Sequence, residues 1–189
     1  LLVGTFSGFF GDLIDSLLMR ITELFQVIPR FFLALLAVAL FGPNIWNIIL
    51  AIGILSWPVT ARLVRSEFLI QRKRYYVDAA KMQGASSLKL IFIEILPNVS
   101  GVIIVNSTLM VAQAMLLEAS LSYLGVGDPG AVSWGVMLFE AQHALTRAWW
   151  MSVFPGLGIF LSVLAINLVG DGLNDAINPR SQESKGLVL

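Results

Sequence analysis

The chain has 189 residues, of which 57% are apolar and 13% are charged, and its 12 basic residues balance its 12 acidic ones. The charged fraction is about half that of an average soluble domain, which excludes a disordered chain and leaves too few polar residues to cover a soluble globule. A net charge of zero argues against nucleic acid as a partner, and the lack of cysteine excludes disulfides and thiolate chemistry. The composition therefore indicates an integral membrane protein in contact with lipid.

The first predicted element is the end of a membrane span, called span A (1–11). This stretch is uncharged, but as a helix it would rise only about 16 Å, half the thickness of a hydrocarbon core. It has neither an initiator methionine nor a preceding basic residue, so it does not resemble a signal peptide. We therefore expect a span whose beginning lies outside this chain. Gly4 and Gly8 form a small-x-x-x-small pattern, which permits close packing of helices.

The next two spans are predicted from an uncharged window of 31 residues at 31–61. This window is too long for one transmembrane helix of about 20 residues, and it contains the turn signal Gly42-Pro43-Asn44. We therefore predict span B (22–41), a tight hairpin at 42–44, and span C (45–66).

Two further windows of 23 uncharged residues, 95–117 and 148–170, predict span D (95–122) and span E (149–170). A soluble α-helical protein of this length could not bury four such helices. The predicted fold class is therefore an all-α, polytopic transmembrane helical bundle with four full spans plus a partial one.

The distribution of basic residues predicts the topology. The segments 12–30 and 62–94, together with the tail from residue 171, carry eleven of the twelve Lys and Arg residues, whereas the hairpin and the 123–148 loop carry one. Basic residues concentrate on the cytoplasmic side of membrane proteins. We therefore place the three basic segments, including the C-terminus, in the cytoplasm.

Catalytic residues are not evident in the sequence, which predicts a protein that is not an enzyme. The single histidine, His143, lies on the predicted outer loop without a second imidazole or thiol to share a metal ion, and no P-loop sequence is present. The paired carboxylates Asp12/Asp15 and Asp171/Asp175 are interpreted as helix caps and solvated charges.

The cytoplasmic segment between spans C and D has the most informative pattern. Asp78-Ala79-Ala80 is followed after three residues by Gly84, which can adopt a turn that other residues resist. Ser86 or Ser87 could cap a short helix, and Leu96-Pro97 would open span D, with proline at a helix start. The pattern predicts a compact knob that is anchored to both spans and can transmit rigid-body motion to them.

This pattern resembles the "EAA" loop of the permease subunits of bacterial ABC importers. The resemblance implies the type I ABC importer permease fold, a single transmembrane domain over 1–189, and a coupling loop at 75–95 that docks on an ATPase subunit. Asp78 replaces the usual Glu, and Glu94 stands where the family has Ile, so we expect a polar contact there. The implied coupling residues are Asp78, Ala79, Ala80, Gly84, Glu94, Leu96 and Pro97.

Other stretches are similar to the dipeptide/oligopeptide/nickel group of these permeases, and most similar to its C-type subunit. They are Gly11-Asp12-x-x-Asp15-x-x-x-Met19-Arg20, Ser56-Trp57-Pro58, Glu118 to Gly125, Ser133-Trp134-Gly135, Phe154-Pro155-Gly156, and Gly170 to Arg180. Members of this group have six spans, so the resemblance implies that the first span and the start of the second are missing.

The resemblance also implies the mode of action and the partners. Such a permease moves peptides across a bacterial or archaeal cytoplasmic membrane by alternating access, together with two ATPase subunits, a second permease and an extracytoplasmic solute-binding protein. ATP and Mg²⁺ would bind to the ATPase, and this chain would bind no cofactor. Nickel or another small solute remains open as cargo. A secondary transporter is less favoured, because the uncharged windows hold no mid-span charges and no inverted repeat is visible.

Three polar residues of span D are candidates for the translocation path: Asn106, Gln113 and Glu118. Asn106 and Gln113 lie near mid-membrane, where uncharged polar residues also serve as contacts between helices. Glu118 lies about 30 Å from Pro97 along a helix axis, near the outer boundary. It could be a structural cap or a substrate contact.

Overall fold

The computed structural model describes residues 1–177, and within them the chain is helical, without a strand. The predicted all-α class is confirmed. Residues 171–177 of the predicted cytoplasmic tail are helical, and the rest of the tail, with Pro179, Arg180 and Lys185, lies outside the described residues. The helices are α1 (Leu2–Phe10), α2 (Asp12–Val27), α3 (Arg30–Phe41), α4 (Ile45–Gln71), α5 (Tyr75–Met82), α6 (Ser87–Lys89), a π-helical segment (Leu90–Ile95), α7 (Leu96–Tyr123), α8 (Trp134–Ala141), a 3₁₀ turn (Gln142–Ala144) and α9 (Trp150–Ile177).

Three helices within residues 1–177 are long and apolar enough to cross a membrane. They are Ile45–Gln71, the continuous run Ser87–Tyr123, and Trp150–Ala176, and a fourth span is counted if α2 and α3 together form one broken span.

Span B is not the single helix 22–41 that the sequence predicts. The helix breaks at Ile28 and Pro29, because the ring of Pro29 disfavours a helical conformation at the preceding residue. Pro29 instead caps α3, and its carbonyl accepts the N–H groups of Phe32 (3.0 Å) and Leu33 (3.3 Å).

The α-helix α7 begins at Leu96, where the sequence predicts the start of span D, but no break separates it from the residues before it. The helix that begins at Ser87 continues without a break to Tyr123. The π-helical segment lies just before Pro97, and at its end the N–H of Leu96 donates to the carbonyl of Ile91. A π turn changes the local hydrogen-bond register, and this change precedes the residue that has no N–H to donate.

The chain divides into two compact units. Unit 1 comprises Leu1–Val27, Trp57–Ser107 and the segment from Asp171, and unit 2 comprises Ile28–Ser56 and Thr108–Gly170. In unit 1, α1 packs closely on α4, because a Cβ atom added to Gly8 would lie only 2.6 Å from the Cβ of Phe68. The close approach predicted for the glycines of span A is therefore confirmed.

Unit 2 has its own buried core between α3, α4 and the end of α7. Its buried members are Ala34, Val38, Ile48, Leu55 and Leu121.

The predicted hairpin between α3 and α4 is present in unit 2. Gly42 has a φ of +94°. The side-chain amide of Asn47 donates to the carbonyls of Phe41 (2.9 Å) and Gly42 (3.1 Å).

Candidate functional site

The predicted knob begins with α5, whose end has a defined cap. Gly84 follows the helix with a φ of +79°. Its N–H donates to the carbonyl of Lys81 (2.9 Å), and the N–H of Ala85 donates to the carbonyl of Ala80 (3.1 Å). This pair of bonds is a Schellman cap, in which glycine supplies the left-handed residue. The spacing from Ala80 to Gly84 is therefore the spacing of a helix cap. Ala80 and Ala85 also pack against one buried apolar cluster.

The second helix of the knob, α6, has a side-chain cap at its start. Of the two serines that the sequence offers, Ser86 is the cap, because its side chain accepts a hydrogen bond from the N–H of Lys89 (3.4 Å). The side chain of Asn98 donates to the backbone carbonyl of Glu94 (2.6 Å) in the turn that follows. Glu94 itself is partly buried, and the hydrogen bond from Asn98 reaches its backbone rather than its carboxylate.

A buried apolar cluster fixes the knob to the ends of two long helices. Phe68 of α4, Val77 of α5 and Ile91 of the π-helical segment are all fully buried in it. The other buried members are Val64, Leu90, Ile95 and Val99. Closely packed side chains resist deformation, so the knob moves with α4 and α7 rather than independently of them.

The opposite side of the knob is exposed and partly apolar. Tyr75 is 93% exposed, Met82 89% and Leu88 60%. Asp78 and Ala79 are also exposed, and Asp78 forms an exposed ion pair with Lys81 (3.2 Å). An apolar patch that is rimmed by polar residues is typical of a surface that binds a protein partner.

Tyr76 joins the knob to the helices on either side of it. Its hydroxyl donates to the side-chain carbonyl of Gln71 (3.2 Å). Burial raises the pKa of the Tyr76 phenol, with a smaller contribution from the charge of Glu94 and opposing effects of Arg74 and a hydrogen bond with Asn98. The phenol is therefore neutral at physiological pH and can donate this bond.

An ion pair that the sequence did not predict braces unit 1. Arg65 of α4 donates through Nε and Nη2 to the two carboxylate oxygens of Asp15 on α2, and Ser7 of α1 donates to the same carboxylate. The Asp15 side chain is only 16% exposed. The interpretation of Asp15 as a solvated charge is therefore wrong. Helical spacing identified its neighbours in sequence but not its partner 50 residues away.

Comparison with known proteins assigns the chain to one family. The profile described as "Binding-protein-dependent transport system inner membrane component" matches residues 1–183. The chain belongs to this family. It is an inner membrane component with several apolar helices of spanning length, and the resemblance stated from the sequence is confirmed.

Several curated relatives of this inner membrane component carry names that refer to peptide transport. It is 41% identical to the "Di/tripeptide transport system permease protein DppC" of Pseudomonas aeruginosa over 95% of the chain and 60% of that relative. It is 42% identical to a "Putative peptide transport system permease protein" of Brucella suis over 88% of the chain and 56% of the relative. It is 41% identical to a "Putative peptide permease protein" of Brucella ovis over 96% and 61%. The chain thus spans about three fifths of the length of these relatives.

In this inner membrane component, the three predicted path residues lie in two different units. Asn106 belongs to unit 1, where its side-chain amide donates to the hydroxyl of Thr60 (3.5 Å), as expected of a contact between helices. Gln113 and Glu118 both line cavities of unit 2. The structure therefore groups Gln113 with Glu118 and places Asn106 elsewhere.

Proposed function

We propose that the chain forms the membrane-spanning part of a permease subunit in an ATP-driven ABC importer of di- and oligopeptides. The permease would alternate between outward-open and inward-open states as a separate ATPase binds and hydrolyses ATP. The observation that carries this proposal is the knob of unit 1. It is anchored on its inner side by the Phe68–Val77–Ile91 cluster, and it presents Tyr75 and Met82 on its outer side.

The two sides of the knob suit the task of coupling. A partner that holds Tyr75, Met82 and Leu88 would remove three large apolar side chains from water, each worth about 1.5–3 kcal/mol when fully buried. Motion of that partner would reach α4 and α7 without loss, because the knob shares its core with both helices. The coupling residues would then act in different ways. Gly84 and Ala80 shape the cap, Asp78 and Ala79 face the partner, and Glu94, Leu96 and Pro97 belong to the turn that enters α7.

The proposal includes the partners of such an importer. Two ATPase subunits would bind the knobs of this chain and of a second permease, and a solute-binding protein would deliver cargo from outside. ATP and Mg²⁺ would bind to the ATPases, and the C-terminus would lie in the cytoplasm. Peptides are the proposed cargo because the relatives' names refer to di/tripeptides and peptides.

The test is a pair of variants at the most exposed aliphatic position of the knob. In the assembled importer, Met82→Glu should release the ATPase subunits during co-purification and abolish ATP-dependent uptake of a labelled dipeptide. Met82→Leu, which keeps the apolar surface, should retain both. A Met82→Glu importer that still holds its ATPases and transports normally would refute the proposed docking surface. Uptake of Ni²⁺ instead of dipeptide by the unaltered importer would assign the nickel branch of the family.

A further inference from the structure

Unit 2 contains two adjoining cavities. The first has a volume of about 580 Å³ and the second about 330 Å³, and both lie within the usual size range of sites for small ligands. They share Ile52 of α4 and Ala114 of α7. The first cavity is lined mainly by apolar residues of α4, α7 and α8. The second cavity is lined by apolar residues and by the polar residues Ser56, Gln113 and Ser120.

Each cavity is lined by one charged side chain, and the two charges are opposite. Glu118 lines the first cavity and Arg30 lines the second. The Glu118 carboxylate accepts a hydrogen bond from the hydroxyl of Ser122 (2.7 Å), which orients it. Within residues 1–177, neither Glu118 nor Arg30 forms an ion pair. A charged group in a membrane segment without such a partner marks a functional site.

The break at Pro29 places Arg30 at the start of a short helix. α3 has 12 residues and is therefore about 18 Å long, whereas the hydrocarbon core is about 30 Å thick. With the hairpin at the other end of α3 on the outer side, as the basic residues predict, α3 alone is too short to carry Arg30 across the whole core. The N-terminal end of a helix also favours an anion, so the carboxylate group is the matching ligand.

The spacing of the two cavities suits a short peptide. Ala114, which both cavities share, precedes Glu118 by four residues, or about 6 Å along the helix axis. An extended dipeptide spans at most about 7 Å. A ligand whose ammonium group meets Glu118 would therefore reach Ala114, which also lines the second cavity.

We propose that these two cavities form one site for the two charged ends of a short peptide, with its ammonium group at Glu118 and its carboxylate at Arg30. Gln113, which lines the second cavity, offers an amide group to the peptide bond. This inference rests on the proposed function, because it names how that permease would contact its cargo. A zwitterionic lipid headgroup carries similar charges, and the test separates the two ligands.

The experiment uses the assembled importer in vesicles with its solute-binding protein. Uptake is measured for a dipeptide with free ends, its N-acetylated form and its C-amidated form. Each peptide is first loaded to saturation on the binding protein, so that selection by that protein does not affect the rate. The variants are Glu118→Gln and Arg30→Gln. The matched control is Glu140→Gln, because Glu140 is an exposed residue of α8 in the same unit and does not line either cavity.

We expect Glu118→Gln to slow uptake of the free dipeptide roughly tenfold, the factor that corresponds to about 1.4 kcal/mol, which is close to the lower limit for a hydrogen bond to a charged group. It should leave the rate for the N-acetylated peptide unchanged. Arg30→Gln should slow the free dipeptide and spare the C-amidated form. Glu140→Gln should change none of the three rates.

Equal losses for all three peptides would overturn the inference, since they would mean that the two charges hold protein or lipid instead. Unchanged rates in both variants would overturn it as well. Ala114→Phe, which fills the junction, should slow all three peptides even if a charge variant folds poorly, and normal rates in that variant would also refute the site. Failure of the proposed function is a different result, namely no ATP-dependent peptide uptake by the unaltered importer.

Discussion

The cap at Gly84 offers the sharpest test of the proposal that the knob couples ATP hydrolysis to transport. Its φ of +79° lies in the left-handed region, which costs an ordinary L-residue about 1–2 kcal/mol. A Cβ atom added there would meet nothing within 4 Å. Substitution therefore introduces backbone strain without a steric clash. The strain acts against the two hydrogen bonds of the cap, worth about 0.5–1.5 kcal/mol each.

The backbone strain and the free energy of the two cap hydrogen bonds are nearly equal, so a single substitution at Gly84 can open the cap. Valine, which is β-branched, should have a strain energy at the upper end of this range. A cost of about 2 kcal/mol shifts the ratio of closed to open cap by roughly thirtyfold. Asparagine tolerates the left-handed region better than other L-residues and should have the smallest effect. We expect the number of peptides transported per ATP hydrolysed to fall in the order Gly84, Asn, Ala, Val.

The measurement pairs ATP hydrolysis with peptide uptake in vesicles that contain the assembled importer. Gly84→Val should hydrolyse ATP with little uptake, whereas the amount of protein inserted in the membrane should not change. Gly53→Val is the matched control, because Gly53 also has open space around its Cβ position but lies within α4 without a positive φ. A Gly84→Val importer with normal coupling would refute the role of the cap.

Three further variants test other contacts. Asp15→Asn should lower the stability of the detergent-solubilised importer by about 1–3 kcal/mol, because it leaves Arg65 half-buried without its partner; adding Arg65→Gln should restore part of the loss, and an unchanged melting temperature would contradict the brace. Backbone N–H groups of Ile45 and Gly130 lower the pKa of Asp128 below the ordinary value of an aspartate, so its contribution to stability is present above that ordinary value and is lost as the pH falls through the lower value in the folded state. Unfolding followed between pH 5 and 2 should show a smaller loss of stability in Asp128→Asn than in the unaltered protein. Gly135→Ala should destabilise unit 2 by about 1–3 kcal/mol through overpacking, since its Cβ would lie 2.7 Å from the Cα of Ala119, and equal thermal stability would contradict that packing.

Spans C, D and E and the hairpin were predictable because they depend on local composition. An uncharged window of sufficient length indicates a span in any context, and Gly42-Pro43-Asn44 indicates a turn in any context. The family was predictable for the same reason, since the Ala80-x-x-x-Gly84 spacing encodes a local hydrogen-bonded cap.

The features that were missed depend on partners distant in sequence or on a break within a helix. The bond between Asp15 and Arg65 joins residues 50 positions apart, which neither helical periodicity nor charge counting can pair. The start of α3 at Arg30 was missed because span B was predicted as one helix. The signal was available in Pro29, since a proline disfavours the helical conformation of the residue before it.

The π-helical segment makes the orientation of the knob depend on the number of residues in the segment as well as on their type. Each residue added to or removed from a helix rotates everything beyond it by about 100° and shifts it by 1.5 Å. The number of residues between Gly84 and Pro97 therefore sets the direction in which the knob points relative to the start of α7. Deleting one residue from Leu90–Ile95 would restore ordinary α-helical bonding and keep the apolar composition almost unchanged. It would nevertheless turn Tyr75 and Met82 away from the side on which the proposed ATPase partner would bind. In this segment, the length of the motif is itself a structural parameter.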